Sequence, residues 1–288
     1  MTSSHPYIYI TFVLFYFLLK VIQDPKALDH QLVEMLIKCC ATLTLCYTMR
    51  TNMRELQLTS KPHTQQTKFF IGLLFSVFGD GLLVWDNLHF SFFILGLLSF
   101  LISHCYYTAS FGLHPLHPRL AVVVFMCAIA VFSTCVYFER QSTKPLDITT
   151  FYIVIVACYL YSGVLYAGVW RALVLLLTAT SENEKDRGKQ RLFGILLYVL
   201  SDTLIAANKF IIYSENTWAL HMATYFLAQF LLTQSSLVVI DRNKLRHPPV
   251  GRSFSSDLAS FLRAWTNVNR VELEVDRSSD NEEKTHRD

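Results

Sequence analysis

Residues 69–85 read FFIGLLFSVFGDGLLVW, seventeen positions with one ionisable side chain, Asp80. A helix that crosses ~30 Å of hydrocarbon needs about 20 mainly apolar residues, within a range of about 17–25. The stretch therefore reads as a membrane span, with a carboxyl placed where lipid should exclude it. By the same measure the chain holds eight spans, near 6–22, 32–49, 69–85, 90–111, 120–138, 151–178, 192–212 and 218–240. The apolar runs are too long for barrel strands and do not alternate. The expected fold is an all-α membrane protein, a bundle of about eight transmembrane helices around a central polar cavity.

The composition agrees. The 288 residues are 52% hydrophobic and only 16% charged, well under the roughly 25% charge of an average globular chain, and the mean hydropathy is positive. The charges cluster between the apolar stretches and in the last 48 residues, which keeps them out of lipid. A net charge of +3 is too small to imply nucleic acid as a partner. The seven cysteines (Cys39, Cys40, Cys46, Cys105, Cys127, Cys135 and Cys158) all lie in apolar stretches without metal-ligand spacing, and are expected to be small buried hydrophobes. The first span lacks a basic flank, and Gln23-Asp24-Pro25-Lys26 is no small-residue cleavage site, so it is expected to be retained.

Lysine and arginine are biased to one side. With eight spans, Arg50, Arg54, Lys61, Lys68, Arg119, Lys185, Arg187, Lys189, Arg191 and the juxtamembrane Arg242, Lys244, Arg246 and Arg252 share the side of both termini. Only Lys20, Lys26, Arg140 and Lys144 face the other. Both termini are therefore expected in the cytoplasm, with the endoplasmic reticulum as the expected host membrane. The domain division is a catalytic membrane domain over 1–240 and a cytoplasmic tail over 241–288. In the tail Leu258, Phe261, Leu262 and Trp265 fall at helical spacing, a short amphipathic helix suited to a membrane surface. The remaining tail is expected to be disordered.

Six ionisable residues inside spans are the site candidates: Lys38, Asp80, His104, Arg171, Asp202 and Lys209. A charge at a helix centre costs ~2.5–3.5 kcal/mol even on the lenient insertion scale, so such residues face the bundle interior and mark a site. Asp80 and Asp202 lie about 11 and 10 residues into spans that run in the same direction, hence at one depth of ~15 Å. Polar residues accompany them. Ser76 is four before Asp80, Tyr107 three after His104 and Tyr198 four before Asp202, while Tyr225, Gln229 and Thr233 form a stripe on the last span. Gly72, Gly79 and Gly81 would let the third span pack closely. In an apolar cavity one of two neighbouring carboxyls can keep its proton while the other is ionised. Such a pair can protonate a substrate and activate water, bind a transported proton, or simply form ion pairs with Lys38 or Lys209.

At these residues the sequence resembles the YhhN-like family of membrane lysoplasmalogenases. The matching pieces are Gly79-Asp80 with Leu82-Leu83, then Leu95-Gly96-Leu97 with Phe100, His104 and Tyr107, and Arg171. They continue with Ser201-Asp202-Thr203-Leu204, Asn208-Lys209-Phe210 and Tyr225-Phe226-Leu227-Ala228-Gln229, so that together they cover spans two to eight. One departure is Cys39, which follows Lys38 where the family pattern has proline. The resemblance implies hydrolysis of the vinyl ether bond of lysoplasmalogen to a fatty aldehyde and glycerophospho-ethanolamine or -choline. A lysophospholipid substrate and membrane lipid are then the expected partners. Vinyl ethers hydrolyse by protonation at carbon, which gives an oxocarbenium ion that water captures. Asp80 and Asp202 would share the acid and base roles, in an order left open, with His104 and Tyr107 positioning water or one carboxyl. Lys38, Arg171 and Lys209 are candidates for the substrate phosphate, and Asn208, Tyr225 and Gln229 for further substrate contacts. Neither metal nor other cofactor is implied, and a homodimer is compatible with the sequence.

Two other classes use intramembrane aspartates. An intramembrane aspartyl protease would need glycine at Val77 and a Pro-Ala-Leu motif, both missing here. A proton-coupled transporter of a lipid or small molecule would be expected to break its helices with Gly or Pro near the site, and Pro occurs only at the edge of the first span. Asp80-x-Leu82-Leu83 and Asp202-x-Leu204-Ile205, four spans apart, point to a 4+4 duplication.

Overall fold

The computed structural model describes residues 5–22, 28–58, 64–112, 114–141, 148–210 and 217–237. These form eight helices: α1 (His5–Ile22), α2 (Leu28–Leu58), α3 (Thr64–Val84), α4 (Phe90–Ser110), α5 (Pro118–Arg140), α6 (Ile148–Leu177), α7 (Glu182–Phe210) and α8 (Thr217–Ser236). No strand occurs among the described residues. The chain is an all-helical, multi-pass membrane protein. The tail helix expected within 256–265 lies outside the described residues.

Six helices, α2 to α7, are long and apolar enough to cross a membrane. The apolar part of α1, Pro6–Ile22, is shorter. Although 20 residues long, α8 falls short on composition because Thr224, Gln229, Thr233, Ser235 and Ser236 lie along it. All five are buried against protein. The expected eighth span is thus a helix whose polarity is satisfied inside the bundle rather than displayed to lipid. The first residues of α7 extend the span past its apolar stretch. Ser181 caps them: its hydroxyl accepts from the Glu184 amide at 3.2 Å, while the Glu184 carboxylate accepts from the Ser181 amide at 3.2 Å, a reciprocal capping box.

The two most extensive helix pairs are α3 with α4 and α7 with α8, and α6 packs on both α4 and α7. Absent side chains make these approaches possible. A Cβ on Gly72 would lie 2.7 Å from the Tyr107 ring, and one on Gly79 would lie 2.6 Å from Phe100. On α7 a Cβ at Gly194 would lie 2.9 Å from Leu232 of α8. Gly72 and Gly194 each precede an aspartate by eight residues, so the two helix pairs share a contact position as well as a carboxyl. Gly81 differs from its neighbours, facing α2 at an ordinary 3.6 Å from the Cys39 sulfur. Gly79→Ala is therefore expected to lower the thermal midpoint in detergent, since overpacking typically costs ~1–3 kcal/mol. Gly81→Ala should be neutral or slightly stabilising in the same measurement.

The seven cysteines are free, but only Cys46 is fully buried, and Cys105 and Cys127 are exposed. The expectation of uniformly buried thiols fails because a lipid-facing helix surface is itself apolar. Two outer grooves have the same character. One of about 280 Å³ is lined by Ile8, Phe12, Cys40, Leu43, Thr44 and Tyr47. The other, of about 390 Å³, runs between α5 and α6 along Phe125, Phe132 and Tyr159. Neither touches the buried acids.

Candidate active site

Asp80 is completely buried near the end of α3. Its Oδ2 accepts hydrogen bonds from Thr42 Oγ1 of α2 and from the Tyr225 hydroxyl of α8, both at 2.7 Å. Its Oδ1 faces the Lys38 ammonium at 3.3 Å, an ion pair with both side chains at least nine-tenths buried. Lys38 and Thr42 stand four residues apart, so α2 presents both on one face to the same carboxyl. The ammonium also lies 5.4 Å from the centre of the Tyr225 ring. Of the structural pairings open from sequence, Lys38 with Asp80 is formed among the described residues. Two hydroxyl donors on Oδ2 and the ammonium beside Oδ1, which takes no hydrogen bond among the described residues, give Asp80 the environment of an ionised carboxylate.

Asp202 on α7 is held differently. It is only half-buried, and one donor reaches it, the Tyr161 hydroxyl of α6 at 2.5 Å on Oδ2. Among the described residues no group donates to its Oδ1.

Between the aspartates stands a wall of aromatic rings from four helices. Tyr225 meets Tyr198 edge-on at 5.7 Å, Tyr198 meets His104 at 4.7 Å, and His104 meets Tyr161 at 5.5 Å. The wall thus runs from the tyrosine bonded to Asp80 to the tyrosine bonded to Asp202. His104 is 1% exposed, yet among the described residues neither ring nitrogen has a hydrogen-bond partner, nor has the Tyr198 hydroxyl. Buried polar atoms are almost always satisfied, and those that are not call for an explanation in function or in water. Their position along one wall, between two carboxyls, makes that wall the candidate site.

Behind the wall the polar groups are satisfied among themselves. The Tyr107 hydroxyl donates to Gln229 Oε1 at 3.1 Å and pairs with Ser76 Oγ at 3.0 Å, and Ser76 pairs with Ser103 at 2.8 Å. Gln229 Nε2 donates to the Tyr225 oxygen at 3.1 Å, so this network ends on the ligand of Asp80.

Residues 33–236 of this chain match the model of the YhhN family. The chain belongs to the YhhN family. Named relatives of this YhhN chain are lysoplasmalogenases. It is 30% identical to human lysoplasmalogenase TMEM86A over 178 residues, 61% of this chain and 67% of that protein. It is 29% identical to the bovine TMEM86A enzyme over 208 residues, 71% of this chain and 78% of that protein. With the pig lysoplasmalogenase TMEM86B the identity is 31% over 163 residues, 57% of this chain and 60% of that protein. No solved structure matches it.

Among the residues expected at the site, the fold brings Lys38, Asp80, Asp202, His104, Tyr225, Gln229 and Tyr107 together. Within that group the Tyr107 hydroxyl is turned into the network behind the wall. Arg171 stands elsewhere. It is fully buried at the far end of the bundle, and its Nε, Nη1 and Nη2 donate to the carbonyls of Gly112, Pro115 and His114 at 2.6, 2.7 and 3.1 Å. That guanidinium organises the loop between α4 and α5. Asn208 lies on α7 past Asp202, where it is half-buried; Lys209 also lies in α7, and its side chain is outside the described part. Thr42 and Tyr161 were not anticipated. Thr42 carried a readable signal, one helical turn from Lys38, whereas Tyr161 is one of several tyrosines along α6 and carried none.

Proposed function

We propose that this YhhN family member is a lysoplasmalogenase-like hydrolase that cleaves the vinyl ether bond of a 1-alkenyl-glycerophospho-ethanolamine or -choline, giving a fatty aldehyde and the glycerophospho alcohol. The observation that carries this reading is the unequal environment of two carboxyls at the ends of one aromatic wall. Asp80 has its counter-ion and two further donors; Asp202 has one donor, a free oxygen and partial exposure. This favours Asp202 as the proton donor and Asp80 as the standing carboxylate.

The reaction needs those two states. Asp202 Oδ1 delivers a proton to the β-carbon of the vinyl ether, and the ether oxygen shares the resulting positive charge with the adjacent carbon. The Asp80 carboxylate and the newly formed Asp202 carboxylate steady that cation across a low-dielectric site, where fixed charges act most strongly. A water at the unpaired His104 nitrogens and Tyr198 hydroxyl attacks the cationic carbon and returns its proton to Asp202. The hemiacetal then collapses, moving its hydroxyl proton to the ether oxygen, to aldehyde and alcohol. The proton spent in the first step is recovered, and the net change is addition of one water.

The same reading takes Lys38 as the cation nearest the substrate phosphate, with Tyr225 and Gln229 fixing the Asp80 side. It takes both termini as cytoplasmic, on the lysine and arginine bias, with the endoplasmic reticulum as host membrane. The test is fatty aldehyde release from lysoplasmalogen by the purified chain in proteoliposomes, run beside proton-coupled uptake. Aldehyde formed in proportion to enzyme, with no proton-dependent uptake, is the expected result. Uptake without hydrolysis would move the assignment to a transporter.

A further inference from the structure

Both aspartates sit toward one end of their apolar stretches, Asp80 strongly and Asp202 slightly. Only four residues of α3 follow Asp80, up to Val84, and eight of α7 follow Asp202, up to Phe210. At ~1.5 Å per residue the carboxyls stand about 6 and 12 Å from those helix ends, and about 17 and 15 Å from Phe69 and Leu192, where the apolar stretches of the same helices begin. Tyr225 is likewise eight residues into α8, which starts at that near side. Trp85 follows α3 directly and Trp218 opens α8, so two indoles mark the near rim, the usual level of the membrane interface.

The two directions out of the site differ in packing. Toward the far side, Tyr107 stacks on Phe69 at 4.5 Å, and Met49, Met53, Leu73, Ile195 and Leu232 are each no more than 1% exposed. The loop that Arg171 ties down lies beyond them. Toward the near side, every residue from Asp202 to Asn208 is half-buried.

A lysolipid holds its charged headgroup at the interface, and its vinyl ether joins the chain to glycerol, just beneath the phosphate. Carboxyls within two helical turns of the near rim match that shallow bond. From the far leaflet the same bond could reach them only if the phosphate were dragged through tightly packed protein, where a charge is costly. We infer that the substrate lysolipid is drawn from the leaflet on the side where α3 and α7 end, opposite the side where α8 ends, and that the glycerophospho product leaves on that same side. This rests on the hydrolase reading.

The experiment uses the full chain with a C-terminal epitope, reconstituted in sealed phosphatidylcholine vesicles. An antibody to the epitope separates tail-outward from tail-inward vesicles. A choline lysoplasmalogen, which crosses bilayers slowly, is added from outside, and glycerophosphocholine is measured before and after the vesicles are opened with mild detergent. Tail-inward vesicles should be fully active while sealed. Tail-outward vesicles should be latent, rising at least tenfold on opening. Equal activity of sealed and opened tail-outward vesicles would overturn the sidedness and leave the hydrolase reading standing. No hydrolysis in either population after opening would remove both.

Discussion

Asparagine at position 202 is expected to lower lysoplasmalogen hydrolysis by at least ~10²-fold, within the ~10²–10⁴ range that a positioned general acid contributes, and to leave the protein folded. The substitution keeps the shape of the side chain, and the amide oxygen can still accept the Tyr161 hydrogen bond. What it removes is the acidic proton on the oxygen that no described residue occupies. Because Asp202 is half-buried and makes no ion pair within the described structure, no charge is stranded and the thermal midpoint should move by a degree or two at most. Steady-state kinetics should show the loss in kcat with KM nearly unchanged, the signature of an interaction made in the transition state alone. A kcat within twofold of the unmodified protein would exclude Asp202 as the proton donor. Tyr161→Phe offers a graded companion: it frees Oδ2 but leaves the acid, so its loss of kcat should fall between those of the two proteins.

The helices were legible because hydrocarbon thickness imposes a length that few other folds share. Residues 69–85 announce one span without reference to any neighbour. Asp80 and Asp202 were legible for the same reason, as charges in the wrong solvent. The geometry that sets them apart was not. Lys38, Thr42 and Tyr225 come from α2 and α8 and meet Asp80 across up to 145 positions of sequence, and no local pattern encodes which helix pair turns them inward. Arg171 shows the converse. A buried cation beside a lipid site reads as an anion ligand, yet each of its three nitrogens donates to a backbone carbonyl of an adjacent loop. Carbonyl acceptors are present at every residue and leave no trace in side-chain sequence. Depth was also blurred, since the apolar stretch of α3 fixes where the helix can sit but not how close Asp80 lies to its last turn.

Asp80 should behave unlike Asp202, and a two-by-two set of variants separates its structural from its chemical part. Asp80→Asn leaves the Lys38 ammonium buried without a counter-charge, and Lys38→Met strands the Asp80 carboxylate instead. Removing one member of a buried pair typically costs ~3–5 kcal/mol, whereas replacing both by uncharged groups of similar size is often neutral or better. Each single variant is therefore expected to lose a large part of its thermal midpoint in detergent, and the double variant Asp80→Asn/Lys38→Met to recover most of it. The non-additivity of the cycle measures the coupling directly, because the two residues touch at 3.3 Å. Hydrolysis should not follow stability back. If Asp80 is the carboxylate that steadies the oxocarbenium ion, the recovered double variant is folded and still inactive. If the pair served architecture alone, the double variant would regain activity along with its midpoint. Additive losses, with the double variant the least stable of the set, would instead show that Lys38 and Asp80 do not depend on one another, and the case for Asp80 as the standing carboxylate would lose its support.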